Sequence, residues 1–354
     1  MYKFSKLIYA LLLVVLIVWL LPWFYEFALF KPESSPFTLY SRVIDDFVFT
    51  EVNAENQLIR KDSKGNEYTA KEFDNILPLF YARQLVADAR FPDSITGVPV
   101  SPQEVQIHNF VFRSTPSEIN KPSKGLYFLL EAMSGRVDLS MPSDVFRITS
   151  SGIEFVEMEN NAIDKEKSKL FTDLMLKKDF VFPAKLIEGN PSTRKDYDEG
   201  YLLTDQENKL YHLKMLQGKP YLRVINLPEG LKLTKLFVTE FRGKRTLGLL
   251  VDEQHKLYAL TPDYSIKQVE VPSFDPNKEV ITLFGNLFHW TVQITGEGAD
   301  RFYAIDAKDY TLIREYIYKA KNDSFADKYR NVLMPIRLTF TSGYDKFVKP
   351  RINE

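Results

Sequence analysis

The sequence predicts a mainly β protein with a few helices, in which antiparallel sheets repeat as in a β-propeller, plus one N-terminal transmembrane helix. Three observations support this: a long uncharged apolar run near the N-terminus, a strand-favouring composition and a repeat in the second half. Aromatic residues make up 14% of the 354 residues, with many Val, Ile, Thr and Tyr, which are enriched in strands.

The apolar run is Leu7–Tyr25, which carries no charge over roughly nineteen residues, close to the ~20 that a helix needs to cross a bilayer. A cleaved signal peptide has a shorter apolar core and a small-residue cleavage site, whereas Pro22 and Trp23 stand at the end of this run. A buried core helix would normally keep a polar face. We therefore predict an uncleaved span, with the processed signal and the core helix as alternatives.

The charges that flank the span predict its orientation. Lys3 and Lys6 precede it, whereas Glu26 and Lys31 follow it, so the positive-inside rule places the N-terminus in the cytoplasm. The main domain is then periplasmic, and the protein is a single-pass protein of a bacterial inner membrane. The absence of cysteine fits a bacterial envelope protein better than a eukaryotic secreted one.

Composition also excludes several classes of function. The net charge of −1 gives no basic stripe that could neutralise phosphates, so we expect no nucleic-acid partner. A chain without cysteine has no disulfide, no thiolate metal site and no cysteine nucleophile.

We expect three regions: the anchor at 1–30, a mixed α+β region at 31–188 and a propeller-like β region at 189–354. The stretch 31–354 can also form a single domain. Lys31–Phe37 is a short polar linker that contains two prolines, so the body should sit close to the membrane.

In the mixed region, strands are expected from Tyr40 onward, with a hairpin turn at Asp62–Asn66. Lys71–Ala89 shows helical spacing, and Pro78 should kink or split this helix. Phe91–Pro102 is expected to be a loop. Further strands are expected at Val105–Phe112, Leu126–Leu130 and within Val137–Phe155.

A second helix is predicted at Asp164–Lys178, where Asp164 is the candidate N-cap and Glu166 lies in the first turn. Its apolar face should contact the core. The residues of that face are Leu170, Phe171, Leu174 and Met175.

The repeat relates LLTDQENKLYHLK (202–214) to LLVDEQHKLYALT (249–261), an offset of forty-seven residues from Leu202 to Leu249. A weaker third copy contains Phe302, Tyr303 and Ile305. Periods of ~40–50 residues with four strands each are typical of propeller blades. The strands predicted for two blades are 236–241, 246–251, 256–260 and 266–271, then 280–284, 287–295, 302–305 and 312–318.

The repeated aspartates Asp205 and Asp252 favour turn capping over calcium binding, because a calcium loop needs several oxygen ligands at alternate positions. The hairpin at Asp62–Tyr68 has the same Asp-to-Tyr spacing, and the repeated tyrosine is expected to pack between neighbouring sheets. The C-terminal stretch Val332–Val348 is predicted to form two strands, the last of which should pair with the early chain to close the ring.

One charged cluster is the candidate polar binding loop, within Gly189–Gly200. Paired carboxylates can perform acid–base catalysis, but carboxylates in a solvated loop keep ordinary pKa values. We therefore favour partner or ligand binding over catalysis at this loop. Its residues are Arg194, Lys195, Asp196, Asp198 and Glu199.

The search for catalytic motifs finds none. The four histidines show no zinc-binding spacing, and no serine elbow, phosphate loop or dinucleotide fingerprint is present. We therefore expect no enzyme activity, no catalytic residue, no metal and no cofactor. The histidines are His108, His212, His255 and His289.

Three groups of segments resemble a DUF4857-like domain-of-unknown-function family from the Bacteroidota, whose members carry an N-terminal membrane anchor. The resemblance covers nearly the whole chain, and it implies an anchored envelope protein that often accompanies transporter components. It implies no catalytic residues. The segments are YSRVIDDFVF (40–49), GNEYTAKEFDNILPLFYARQL (65–85), and GNPSTRKDYDEGYLLTD (189–205) with YHLKM (211–215).

The functional hypothesis is a non-enzymatic, membrane-anchored binding or accessory protein outside the cytoplasm, associated with a membrane transport complex. One alternative is a hydrolase of envelope polysaccharide or peptide that uses Asp196, Asp198 or Glu199. Another alternative is a sensor whose blades bind a small ligand.

Overall fold

The computed structural model describes residues 2–29, 35–53, 55–296, 299–319, 329 and 332–352. Its body consists mainly of successive antiparallel sheets with short helices between them, and a long apolar helix precedes the body. The predicted fold class is therefore confirmed.

The N-terminal helix α1 (Tyr2–Leu29) has 28 residues and extends beyond both ends of the predicted span. Among the described residues it is the only helix long and apolar enough to cross a membrane. Most of its large apolar side chains are exposed, including Phe4 and Phe27. Such a helix needs a cover that the described part of the body does not supply.

The first sheet is a meander of β1 (Phe37–Ser41), β2 (Asp46–Val52) and β3 (Leu58–Asp62). The helix predicted at 71–89 is split into α2 (Ala70–Ile76) and α3 (Ala82–Ala87). The break contains Pro78, as expected, because proline cannot donate the backbone hydrogen bond that would continue the helix.

The next stretch differs from the predictions. The stretch Phe91–Pro102, expected to be a loop, contains a small hairpin of β4 (Ser94–Ile95) and β5 (Val98–Pro99). The strand predicted at 105–112 is wrong in its first half, which belongs to the helix α4 (Pro102–His108), and the strand β6 (Phe110–Ser114) follows. Ser101 and Glu104 form a capping box around Pro102, and this local signal outweighs the apolar alternation.

A short helix, α5 (Pro116–Ile119), follows β6. The strand predicted at Leu126–Leu130 is wrong, since only Tyr127 makes a single bridge, to Phe146. Leu129 and Leu130 are nevertheless fully buried, so the apolar pattern there reflects core packing without a sheet partner.

A three-stranded sheet of β7 (Asp144–Ile148), β8 (Ile153–Glu157) and β9 (Ile163–Asp164) leads into the helix α6 (Lys165–Lys177). Asp164 is the N-cap, as predicted, and its side chain accepts a hydrogen bond of 2.9 Å from the Lys167 N–H. On the predicted apolar face, Phe171 and Met175 are fully buried and Leu174 is half-buried. Leu170 is 48% exposed, because it lies about 100° around the helix from Phe171.

Two complete four-stranded sheets, which we call blades, come next. The first consists of β10 (Leu186–Gly189), β11 (Tyr201–Thr204), β12 (Leu210–Leu216) and β13 (Lys219–Ile225). The second consists of β14 (Leu233–Val238), β15 (Gly248–Asp252), β16 (Leu257–Leu260) and β17 (Ile266–Gln268).

The third blade consists of β18 (Val280–Gly285), β19 (His289–Thr295), β20 (Ala299–Asp306) and β21 (Leu312–Lys319). The repeat therefore marks real blades, with strand ends within a few residues of those predicted. The tip between β19 and β20 contains residues 297 and 298, which lie outside the described residues.

The third blade gains a fifth strand from the early chain. β6 pairs antiparallel with β18, with Ser114 opposite Ile281. The C-terminal strand was expected to make such a pairing, but β22 (Leu338–Thr339) and β23 (Arg351–Ile352) pair only with each other in the described part of the chain. The pairing of β6 with β18 connects the two regions that were expected to be divided at 188/189. The strand β10, which starts at Leu186, also runs across that boundary.

Neighbouring sheets share their cores. The sheet of β7–β9 packs on the first blade through Phe146 and Tyr201, and the first blade packs on the second through Leu202 and Leu236. The second blade packs on the third through Leu249 and Val292. The N-terminal sheet packs on the third blade, where Phe47 meets Phe302. The five sheets thus follow one another in space, as blades do in a propeller.

The repeated aspartates Asp205 and Asp252 cap turns, as predicted, and Asp62 caps its turn in the same way. Each Oδ1 accepts the N–H groups two and four residues later at 2.8–3.0 Å, and the residue three positions later has a positive φ. Each Oδ2 also accepts the hydroxyl of the tyrosine six residues later, at 2.9–3.3 Å, a bond that we did not predict. The aspartate–tyrosine pairs are Asp62–Tyr68, Asp205–Tyr211 and Asp252–Tyr258.

Candidate functional site

The candidate polar binding loop connects β10 to β11 and lies against the loop that connects β14 to β15 in the next blade. Lys195 is central to this contact, since its Nζ lies 2.6 Å from Asp198 Oδ1, from Glu240 Oε1 and from the Asn190 carbonyl oxygen. The side chains of Lys195, Asp198 and Glu240 are only 6%, 3% and 2% exposed. The expectation that this loop is solvated is therefore wrong for Asp198.

Glu240 holds the loop through further bonds. Its Oε1 also accepts the Glu199 N–H at 2.7 Å, and its Oε2 accepts the Asn190 side-chain amide at 2.8 Å. Burial raises the pKa of Glu240, and the bonds from Lys195 and from the Glu199 N–H offset part of this rise. The Lys195 ammonium is shared by Asp198 of the first blade and Glu240 of the second, so this cluster connects the two blades.

The other predicted residues of the loop point in different directions. Glu199 pairs with Lys214 at 2.7 Å, and Asp196 pairs with Arg242 at 2.6 Å on the surface. Arg194 is exposed. These carboxylates are each bonded to a cation and do not converge on one cavity, so they lack the paired geometry that glycosidases use.

A polar cavity of about 630 Å³ lies between the first strands of two blades and β6. Only the start of the predicted loop, Gly189 and Asn190, borders it. Its walls carry three cationic and two acidic side chains. These are Arg113, Lys121 and Lys235, with Glu118 and Glu188.

Glu188 is the most perturbed carboxyl of this cavity. Its side chain keeps contact with solvent inside the cavity, but the surrounding protein desolvates it enough to raise its pKa to about 7. Lys235 lies on the facing strand β14, where burial lowers its pKa, and the two charges attract each other without a direct ion pair. A group that titrates near neutrality in a cavity is a candidate for ligand or proton binding.

Sequence reasoning missed Glu188. It stands in the short segment LIEG (186–189), whose neighbours gave no motif, and its role depends on β14 and β6, which are distant in the sequence. The only sign in the sequence that Glu188 is unusual was its place after two apolar residues in the first strand of a blade.

Two of the histidines have structural roles. His212 Nε2 lies 2.5 Å from the Glu199 carbonyl oxygen and its Nδ1 lies 2.9 Å from the Tyr264 hydroxyl, while burial lowers its pKa to about 4. His255 takes the positive-φ position of the Asp252 turn. No cluster of side chains suited to a metal ion occurs within the described ranges.

His289 differs because it lines a second, more apolar cavity of about 360 Å³. This cavity lies between β1, the break between α2 and α3, the start of β6 and the β18–β19 turn. His289 is buried and its Nδ1 has no hydrogen-bond partner.

Comparison with known proteins places the chain in a family. The model of DUF4857, a domain of unknown function, matches residues 37–305, so the chain belongs to this family. The match begins with β1 and ends within β20. A search of curated proteins finds no match.

Three solved structures are similar at low identity. The β-propeller domain of Cps50 (Swd1) from Myceliophteria thermophila has a TM-score of 0.27 and 7% identity, and the match covers 84% of this chain and 90% of that chain. The Dos1 propeller has a TM-score of 0.28 and 10% identity, with 84% of this chain and 66% of that chain covered. BBS1N in complex with ARL6DN has a TM-score of 0.24 and 10% identity, with 84% of this chain and 96% of that chain covered. At TM-scores this low, the fold assignment rests on the sheets of this chain alone.

Replacing Lys195 by Met should destabilise the body by about 3 kcal/mol, because two buried carboxylates would lose their shared cation. Denaturation of the detergent-solubilised chain measures this. Lys209→Met, which removes an exposed lysine paired with Glu207, is the matched control and should change stability little. Equal effects of the two substitutions would contradict the role of Lys195.

Glu188→Gln should alter the pH dependence of stability. The folded-state pKa of Glu188 is raised from 4.5 to about 7, so its contribution to stability is fully present below pH 4.5 and is lost as the pH rises through 7. The variant should not show this loss. The measurement is the free energy of unfolding over that pH range in both proteins.

The control for this pH series is Glu253→Gln, an exposed substitution in the turn between β15 and β16, which should keep the wild-type slope. If wild type and Glu188→Gln remain parallel from pH 4.5 to 7, Glu188 does not titrate in this window.

Proposed function

We propose that this DUF4857 member is a single-pass, membrane-anchored binding or accessory protein of the bacterial envelope, in Bacteroidota, with its body in the periplasm. The observation that carries the proposal is the exposed apolar surface of α1. Fully burying one large apolar side chain is worth about 1.5–3 kcal/mol, so a helix that exposes this many is far more stable in lipid than in water.

The contact between α1 and the C-terminal segment (residues 332–352) supports a body held close to the anchor. Phe340 packs edge-on against Trp19, with ring centroids 5.2 Å apart, and Arg337 lies 3.8 Å from Glu26. These contacts involve only the last part of α1. The large apolar side chains of the preceding turns, such as Leu7 and Leu11, are exposed and would be available to lipid.

The C-terminal segment itself exposes apolar side chains beside the anchor, including Val332, Ile336 and Val348, the last 78% exposed. Lys346 and Lys349 are interspersed with them. Apolar side chains mixed with lysines suit the headgroup region of a bilayer. This composition supports a body that rests on the membrane surface.

The flanking charges support a periplasmic body. Lys3 and Lys6 precede the apolar run, whereas Glu26 and only one lysine, Lys31, follow it, so the N-terminus is proposed to be cytoplasmic.

Binding is favoured over catalysis because the loop carboxylates proposed for a hydrolase are bonded to Lys195, Lys214 and Arg242. Their ionic partners hold them as structural groups, whereas a hydrolase needs two carboxyls facing one substrate. The polar cavity with Glu188 favours a second candidate, a sensor of a small ligand.

The absence of cysteine allows a direct test of location. Asp138→Cys, in an exposed loop of the body, should react with a membrane-impermeant maleimide on intact spheroplasts. Ser5→Cys, in the first turns of α1, is the matched control and should react only after permeabilisation. Carbonate washing should leave the protein in the membrane, and the mature mass should include α1. Release by plain buffer, or a mature chain that begins after Tyr25, would exclude an anchored protein.

The accessory role predicts a partner. Extraction in mild detergent at native expression should yield a complex larger than the 41.2 kDa chain, with integral membrane proteins of a transport system. An unrelated single-pass periplasmic protein with the same tag serves as the control for nonspecific capture. A single monodisperse chain would argue for the sensor instead.

A further inference from the structure

The polar cavity lies on the side of the body that adjoins the membrane anchor. Its wall includes Ile119 and Lys121, and the side-chain amide of Asn120, which stands between them, donates to the Tyr344 carbonyl oxygen at 2.8 Å. Tyr344 belongs to the C-terminal segment, which packs on the last part of α1. One wall of the cavity is therefore tied directly to the segment that rests against the anchor.

Within the described residues, none of the three cations of this cavity forms an ion pair. They are Arg113, Lys121 and Lys235, which come from β6, from the loop after α5 and from β14. In the neighbouring loop, by contrast, Lys195 and Lys214 lie 2.6 and 2.7 Å from carboxylate oxygens. The cations of the cavity are therefore available to a ligand.

The cavity carries a net positive charge. Its three cations are accompanied by two carboxyl groups, and one of these, on Glu118, also accepts the Thr115 hydroxyl at 2.9 Å. The other belongs to Glu188, whose pKa is raised by burial to about 7, so the net positive charge is larger whenever this group is protonated. Burial also disfavours the charge on Lys235, and a bound anion would offset this cost.

We propose that the polar cavity binds the anionic headgroup of a phospholipid from the membrane that holds α1. Lysine and arginine would supply charge-assisted hydrogen bonds to the phosphate oxygens, and about 630 Å³ is sufficient for a headgroup. The acyl chains remain in the bilayer beside α1 and concentrate the headgroup at the cavity. The proposal rests on the membrane anchor proposed above, and it gives the sensor a ligand of stated chemistry.

The test uses the full chain in a neutral detergent and two soluble phospholipids that differ only in the headgroup. Dihexanoyl phosphatidylglycerol has a net negative charge, whereas dihexanoyl phosphatidylcholine is neutral overall. Calorimetric titration, with protein-free detergent subtracted, should show about tenfold tighter binding of phosphatidylglycerol. Glycerol 1-phosphate should bind about tenfold more weakly than phosphatidylglycerol, because it has no acyl chains to hold it beside the cavity.

Variants assign the site. Lys235→Gln should remove most of the preference for phosphatidylglycerol over phosphatidylcholine, because it removes a cation of the cavity. Lys232→Gln is the matched control, since it removes the same charge from an exposed position three residues earlier that does not line the cavity. It should leave the preference unchanged.

Glu188→Gln should have the opposite effect at pH 8. It removes a negative charge from the cavity, so phosphatidylglycerol should bind about threefold more tightly than it binds to wild type. Glu253→Gln, which is exposed in the turn between β15 and β16, is the control and should leave the affinity unchanged. A gain of affinity cannot come from an unfolded variant, so this pair tests the site even if Lys235→Gln does not fold.

Three results would overturn the proposal. They are equal affinities of the two phospholipids for the wild-type chain, an effect of Lys232→Gln as large as that of Lys235→Gln, and binding of glycerol 1-phosphate as tight as that of phosphatidylglycerol. The last result would assign the cavity to a free phosphate ester. None of these measurements depends on the orientation of α1, whereas release of the chain from membranes by plain buffer refutes the anchor, so the two failures are distinguishable.

Discussion

Every sheet in this protein depends on its neighbours to cover its apolar faces. A single blade cannot bury its own apolar faces, so a continuous core forms only where one sheet packs on the next. Leu249 and Val292 at one interface, and Phe47 and Phe302 at another, show how regularly this packing recurs. Helices also cover apolar faces of the sheets. The helix α6, for example, packs against the sheet that contains Phe155.

Polar interactions between loops add order to this apolar packing. The pair of loops around Lys195 and Glu240 sets the first two blades relative to each other, and the aspartate–tyrosine turns fix the ends of individual hairpins. Replacing a whole buried ion cluster by apolar residues often costs no stability, whereas removing one of its partners leaves an uncompensated buried charge. The polar cavity lies beside the first strands of the two blades that the Lys195 cluster connects.

Local patterns predicted most of the strands and helices. The blades around Tyr211 and Tyr258 follow from a repeat, and the break at Pro78 follows from one residue. The errors occurred where the chain carries competing signals. At Ser101 a capping box overrode apolar alternation, and Leu129 and Leu130 are buried without belonging to a strand. The cavities could not be predicted, because Glu188 and His289 acquire their properties from segments far away in the sequence.

The pairing of β6 with β18 imposes an order on assembly. β6 leaves the ribosome long before β18, and its ladder is complete only after Gly285 has joined. Contacts between such distant segments form late, because the intervening chain must first be confined. A chain that is synthesised from its N-terminus must therefore keep this edge of β6 unpaired until β18 has been made. The unfinished chain is therefore most exposed to misassembly and to proteases before its last blade has been made.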